Sequence, residues 1–155
     1  MLEPIVKIAT LPTDSQRAFE LFTDRIADWW PLASHSICAR QGQTAVSTQF
    51  EPFEGGKVYE TSPSGEKHIW GSVTAWQPGK HVGFSWHVGR APGLATQVDV
   101  TFALSDTGGT LVTLTHSNWE VLGAYAPGEH ASYSPGWDQV FHEGFEAFAK
   151  GALLA

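Results

Sequence analysis

The sequence is short of charge and of sulfur. Charged residues make up 16% of its 155 positions, against roughly 25% in ordinary soluble proteins, and there is one cysteine and one methionine. Each shortage removes a class of explanation. Cys38 alone forms no internal bridge, so folding does not call for an oxidising compartment. The nine Lys and Arg, outnumbered by sixteen Asp and Glu, are scattered from Lys7 to Lys150 with no stripe to collect phosphates, which excludes a nucleic-acid partner. No stretch approaches the roughly 18 consecutive apolar residues of a membrane span. The opening MLEPIVKIATLPTD has no basic segment ahead of a long apolar one, so no signal peptide is expected and the cytoplasm is the expected location. Repeats, low-complexity tracts and charge runs are missing too. Residues 1–155 therefore read as one domain, of a size that buries roughly two thirds of its unfolded surface around a single core.

What the chain does have is aromatic. Phe, Trp and Tyr reach 12%, with seven tryptophans, and in a charge-poor chain such rings go to core, to a ligand cavity or to a contact face. The element pattern narrows the choice. Ile5-Val6-Lys7-Ile8-Ala9 reads as a short strand. Thr13 with Gln16 three residues on fits a capping box, and Ala18, Phe19, Phe22, Ile26 and Trp29 or Trp30 follow at helical spacing until Pro31, predicting two short helices or a bent one over 14–30. From there the period changes to two. Strands are predicted at 45–51, 57–62, 67–77, 80–89, 95–105 and 110–119, separated by turns such as Gly55-Gly56, Pro78-Gly79 and Gly108-Gly109, too close together for parallel crossovers. A loop is expected at 120–133. Ser134 then caps a long helix with Pro135 at its first position, and Trp137, Val140, Phe141, Gly144, Phe145 and Phe148 form its aromatic stripe. The sum is an α+β fold, a helix on an antiparallel sheet of six or seven strands.

Alternation assigns faces. Val98, Val100, Phe102 and Leu104 point inward, as do Val82, Phe84, Trp86 and Val88, and Val112 and Leu114. In 67–77 the inward set is Ile69, Gly71, Val73 and Ala75, which puts Trp70 and Trp76 outside and suggests a contact face suited to a homodimer. His68, His81 and His87 also fall outside, at spacings that match no standard metal motif, and no metal or cofactor is expected. Two polar residues continue the inward faces: Glu60 after Val58, and His116 after Leu114. Inward polar groups must be hydrogen-bonded, and a histidine beside a carboxylate can act as a general base. Nucleophilic catalysis has little support, since Ser117 and Ser134 lack a Gly-flanked elbow and Cys38 sits among apolar neighbours.

The local patterns Trp29-Trp30-Pro31, Phe53-Glu54-Gly55-Gly56-Lys57-Val58, Trp70-Gly71-Ser72-Val73, His81-Val82-Gly83-Phe84-Ser85-Trp86, Gly109 through His116 and Pro135-Gly136-Trp137, in this order over about residues 5–150, resemble the START-like (SRPBCC, helix-grip) superfamily. Within it the chain is similar to the homologues of the C-terminal domain of the heat-shock-protein-90 ATPase activator. That resemblance implies a curved sheet wrapped on a long C-terminal helix, a tie to stress response, and a hydrophobic cavity between sheet and helix for a small hydrophobic or amphipathic ligand. Carried onto this chain, the lining comprises Val58, Ile69, Val73, Phe84, Trp86, Val100, Phe102 and Leu114 from the sheet, with Trp137, Phe141 and Phe145 from the helix. Gly71 and Gly144 are expected to leave room there. Two other readings stay open: a cyclase- or hydrolase-like enzyme using His116 and Glu60 inside the cavity, and a chaperone-related protein-binding module.

Overall fold

The computed structural model describes residues 2–154, leaving the first and last residues of the expected 1–155 domain outside. The chain runs through β1 (Ile5–Leu11), three helices α1 (Ser15–Thr23), α2 (Ile26–Trp29) and α3 (Ile37–Arg40), then six strands β2 (Ser47–Phe50), β3 (Lys57–Thr61), β4 (Lys67–Gln77), β5 (His81–Trp86), β6 (Thr96–Leu104) and β7 (Thr110–Ser117). A C-terminal helical arm follows: α4 (Ala126–Trp137), a π-helical segment (Asp138–Glu146) and α5 (Ala147–Leu154). The seven strands form one antiparallel sheet in the order β1-β7-β6-β5-β4-β3-β2. This is the predicted meander, closed by β1 returning alongside β7 with Ile5 opposite His116. The sheet curls around the arm, and Phe22, Trp29, Phe102, Phe141 and Phe145 are buried between the layers. No described helix is long and apolar enough to cross a membrane.

Local chemistry corrects several expectations. Asp14, not Thr13, caps α1, its carboxylate accepting from the Arg17 amide at 2.7 Å. The arm begins at Ala126, with Pro127 in its first turn, so most of the expected 120–133 loop is helix or 3-10 turn and Ser134 and Pro135 lie inside it. Pro135 removes an amide from the helix interior, and the hydrogen bonding changes to the wider π pattern from Asp138. Leu104, expected inward, is exposed at the end of β6. His87, expected outward, is buried, because β5 stops at Trp86 and alternation no longer governs it; its Nδ1 donates to the Arg90 carbonyl at 3.2 Å.

The largest correction falls on β4. Against β3, Ile69 pairs with Tyr59 and Gly71 with Val58, leaving Trp70 as an extra residue; against β5, Val73 pairs with Phe84 and Ala75 with Gly83, leaving Thr74 extra. Each bulge reverses the parity of the strand. The inward side chains therefore step in threes, through Trp70, Val73 and Trp76. Trp70 is fully buried, Trp76 packs edge-on to Phe19 at 5.1 Å, and Ile69 faces solvent. The outward tryptophan pair does not exist, and the homodimer face built on it is withdrawn. The two glycines make no room either. A Cβ at Gly71 would overlap the Ser85 carbonyl, and one at Gly144 would press on the Trp29 carbonyl at 3.0 Å, so both serve close backbone approach.

Candidate functional site

Three stretches of chain meet at the open end of the sheet: the segment between α2 and α3, the end of β5, and α4 with the start of the π segment. They enclose a cavity of about 400 Å³. Its apolar wall is aromatic. Trp30, Trp86 and Trp137 form a closed triangle with ring centroids 5.7, 6.0 and 6.1 Å apart, and Tyr133 stands beside them with its hydroxyl accepting from Trp86 Nε1 at 3.0 Å. Val88 and Val140 also line the cavity, together with the polar side chains of Ser34, His35, Ser36, Arg40, Glu129, Ser132 and Gln139.

Both polar residues singled out in the sequence support this cavity from behind. His116 is fully buried. An indole nitrogen can only donate, so the 2.9 Å bond from Trp137 Nε1 makes His116 Nδ1 an acceptor and places the ring proton on Nε2. Nε2 then donates to Thr96 Oγ1 at 2.7 Å, and that hydroxyl donates to the Trp86 carbonyl at 3.2 Å. One neutral imidazole thus ties two members of the tryptophan triangle together. Burial, with Arg90 and His130 nearby, pushes its pKa down to about 3. With both nitrogens committed, His116 is a positioning residue.

Glu60 works at the other wall. Its buried carboxylate accepts from the backbone amides of Ile37 at 2.6 Å and Cys38 at 3.0 Å, and from Trp70 Nε1 at 2.6 Å. Burial pushes the carboxyl pKa up, but the donors from Cys38, Ile37 and Trp70 outweigh it and the net shift is downward. Glu60 therefore fastens the start of α3 to the sheet, and with it the cavity residues Ser34 to Arg40. Its charge also helps raise the Cys38 thiol to about 11, behind burial as the larger cause, so Cys38 is an inert packing residue. No hydrogen bond joins Glu60 to His116; each serves its own network.

Of the eleven side chains assigned to the lining, Trp86 and Trp137 line the cavity. Val58, Val73, Phe84, Val100, Phe102, Leu114, Phe141 and Phe145 are packed into closed core, and Ile69 is on the surface. Phe22 closes the volume expected to be open, meeting Phe145 at 5.0 Å and Phe102 at 6.2 Å. The cavity is displaced toward the end of the sheet. His81 pairs with Asp99 at 2.7 Å on the outer face, and among the described residues no cluster of three or more His, Cys, Asp or Glu is placed to hold a metal.

Sequence reasoning passed over His35, Arg40 and Tyr133. The signal available was the polar run Ser34-His35-Ser36, three residues beyond Pro31. The segment is tightly built: Trp30 Nε1 donates to the His35 carbonyl at 2.6 Å, and Ser36 Oγ donates to the Leu32 carbonyl at 2.7 Å while capping α3 through the Ala39 amide at 2.9 Å.

Residues 12–150 match the model of the family described as Activator of Hsp90 ATPase homolog 1-like protein. The chain belongs to that family. Within the fold, an anthrahydroquino-γ-pyrone synthase, Txn09, is 30% identical, with 83% of this chain and 85% of that one covered and a TM-score of 0.56. Two more distant structures share the fold: the Aha1 dimer from Colwellia psychrerythraea (16% identity, 90% and 96% covered, TM-score 0.59) and SA2116 from Staphylococcus aureus (13%, 99% and 98%, 0.64). No curated protein matches significantly. Membership in the Hsp90-activator-like family carries the START-like fold expected from the motifs, with the curled sheet and C-terminal helical arm described above.

Proposed function

We propose that this member of the Hsp90-activator-like family binds a small, planar, amphipathic aromatic molecule in the tryptophan-walled cavity. The observation that carries the reading is the triangle of Trp30, Trp86 and Trp137 in the lining of a cavity that polar side chains also line. Stacking surfaces hold a flat apolar body, while a few convergent polar groups fix its orientation, and about 400 Å³ falls in the range of small-ligand sites. The name of the 30% identical relative supports the ligand class, since an anthrahydroquino-γ-pyrone is a fused, oxygen-bearing aromatic.

Gly136 offers a clean test. It lines the cavity, and a Cβ added there meets nothing within 4 Å. Leucine at this position fills the cavity from a helix that tolerates it, with a propensity gain of roughly 0.5–1 kcal/mol over glycine. Wild-type protein titrated with 1,8-dihydroxyanthraquinone is expected to show saturable quenching of tryptophan fluorescence. Gly136→Leu is expected to lose it by tenfold or more in affinity while keeping or raising the thermal midpoint. Equal quenching of both proteins would overturn the reading.

A further inference from the structure

The buried part of the cavity lining has little polarity left to offer a ligand. All three indole N–H groups of the triangle are spent inside the protein: Trp30 donates to the His35 carbonyl at 2.6 Å, Trp86 to the Tyr133 hydroxyl at 3.0 Å and Trp137 to His116 Nδ1 at 2.9 Å. An indole has one donor and no acceptor, so these rings present only their faces and edges to the cavity. Ser36 is the buried hydroxyl of the lining, and it is committed on both sides, donating to the Leu32 carbonyl and accepting from the Ala39 amide. The His35 ring is engaged by Ser34 and Gln139. Glu129 faces Arg90 at 3.6 Å, and Ser34, Arg40, Ser132 and Gln139 are exposed, where water solvates them.

Tyr133 is the exception. Trp86 Nε1 is the protein partner of its hydroxyl among the described residues, and that partner uses only the oxygen. A phenol also carries one hydrogen, which an indole N–H cannot accept. The ring is held in place, edge-on to His116 with centroids 5.1 Å apart and tilted against Trp119 at 5.7 Å, so the hydroxyl stays beside the tryptophan surface. Donation from the indole polarises the O–H bond and strengthens it as a donor in turn. Half-buried in the lining, Tyr133 thus carries a fixed and polarised hydrogen next to a stacking surface whose own N–H groups are all spent.

We propose that Tyr133 is the specificity-determining donor of the cavity, its O–H meeting a carbonyl oxygen at the edge of a planar aromatic that lies against the tryptophan triangle. The proposal rests on the binding reading above and narrows its ligand class to aryl ketones and quinones, in preference to hydrocarbons of the same shape. The selectivity follows from desolvation. A carbonyl placed at Tyr133 recovers a hydrogen bond that it gave up on leaving water, whereas a hydrocarbon in the same pose leaves the O–H unpaired.

9-Fluorenone and fluorene separate this role from ordinary packing, because both are flat tricycles and they differ by one carbonyl. Equilibrium dialysis of each against wild type and Tyr133→Phe gives the ratio of the two affinities, which reads the hydrogen bond free of any general loss. That ratio is expected to fall about tenfold in Tyr133→Phe, the size of one hydrogen bond, with fluorene held within about twofold of wild type. Tyr133→Phe also strands the Trp86 indole, so its fold is checked by circular dichroism, and a second measurement needs no variant. The carbonyl stretch of fluorenone bound to wild-type protein is expected at a lower frequency than in hexane. An equal loss of both ligands makes Tyr133 a support of Trp86 only and overturns the proposal, as does an unchanged ratio or a hexane-like stretch. Failure of fluorenone to bind wild type while 1,8-dihydroxyanthraquinone still binds overturns the proposal and spares the binding reading; failure of all three ligands overturns both.

Discussion

Acidification from pH 7 to pH 4 is expected to cost this protein about 3 kcal/mol of unfolding free energy through His116 alone. The reasoning is one of linkage. His116 is neutral in the fold, with a pKa of about 3, and returns to an ordinary 6.5 on unfolding. Below 6.5 the unfolded chain binds a proton that the native one refuses, so stability is fully present above 6.5 and falls by about 1.4 kcal/mol per pH unit until pH reaches about 3. Against a total stability of roughly 5–15 kcal/mol, that loss is large. His35, lowered by burial, acts in the same direction, while Glu60, with its depressed carboxyl pKa, joins only below its ordinary value of 4.5. The window from 6.5 to 4.5 therefore isolates the histidines. Urea titrations at pH 7.5, 6, 5 and 4 measure the slope, and His116→Gln is expected to flatten most of it whereas His35→Gln leaves most of it in place. An unchanged slope in His116→Gln would contradict the buried neutral state. Below pH 4 the order of events matters as well: protonation of His116 displaces the Trp137 donor from Nδ1, so the tryptophan triangle is expected to loosen before global unfolding. A change in near-ultraviolet circular dichroism ahead of the far-ultraviolet change would report it.

Removal of the Glu60 carboxylate is the second large effect. Glu60→Ala leaves the Ile37 and Cys38 amides and the Trp70 indole without their acceptor. At about 1–3 kcal/mol for each donor stranded away from water, less what relaxation and entering water recover, the expected loss is about 3–5 kcal/mol. Glu60→Gln keeps the shape but turns one acceptor into a donor facing other donors, and is expected to lose about half as much. The readout beyond stability is local. Since Glu60 holds the start of α3, hydrogen exchange of the Ile37 to Arg40 amides is expected to accelerate more than exchange in β6 and β7. Dihydroxyanthraquinone binding is expected to weaken with it, because Ser34, His35, Ser36 and Arg40 lose their support. Should binding and exchange in this segment stay at wild-type levels in a folded Glu60→Gln protein, the anchoring role would be refuted.

These two residues show how far a sequence reads. Glu60 and His116 announce themselves as polar positions continuing apolar faces two residues after Val58 and Leu114, and along β7 the buried side chains alternate throughout. Their partners come from elsewhere in the chain, 10, 22 and 23 residues away from Glu60 and 20 and 21 from His116, and no local pattern names them. The same limit explains β4. An eleven-residue alternation looks uniform on the page, yet two bulges set by what β3 and β5 offer opposite it turn Trp70 from a surface ring into a core one. Likewise the stripe on the C-terminal arm was legible, but not that Phe22 from α1 would fill the space beneath it.

The scarcity of charge and the surplus of rings, the strand periods and the turn residues were enough by themselves to determine an α+β meander with a helical arm, and the ordered motifs placed it in its family, because those features act over a few residues at a time. Where the cavity opens was decided only in three dimensions. Register shifts, close glycine contacts and long-range hydrogen bonds move Trp30, His35, Arg40, Trp86 and Trp137 to one wall-to-wall site, and each of those is a property of two chain segments meeting, which neither segment encodes alone.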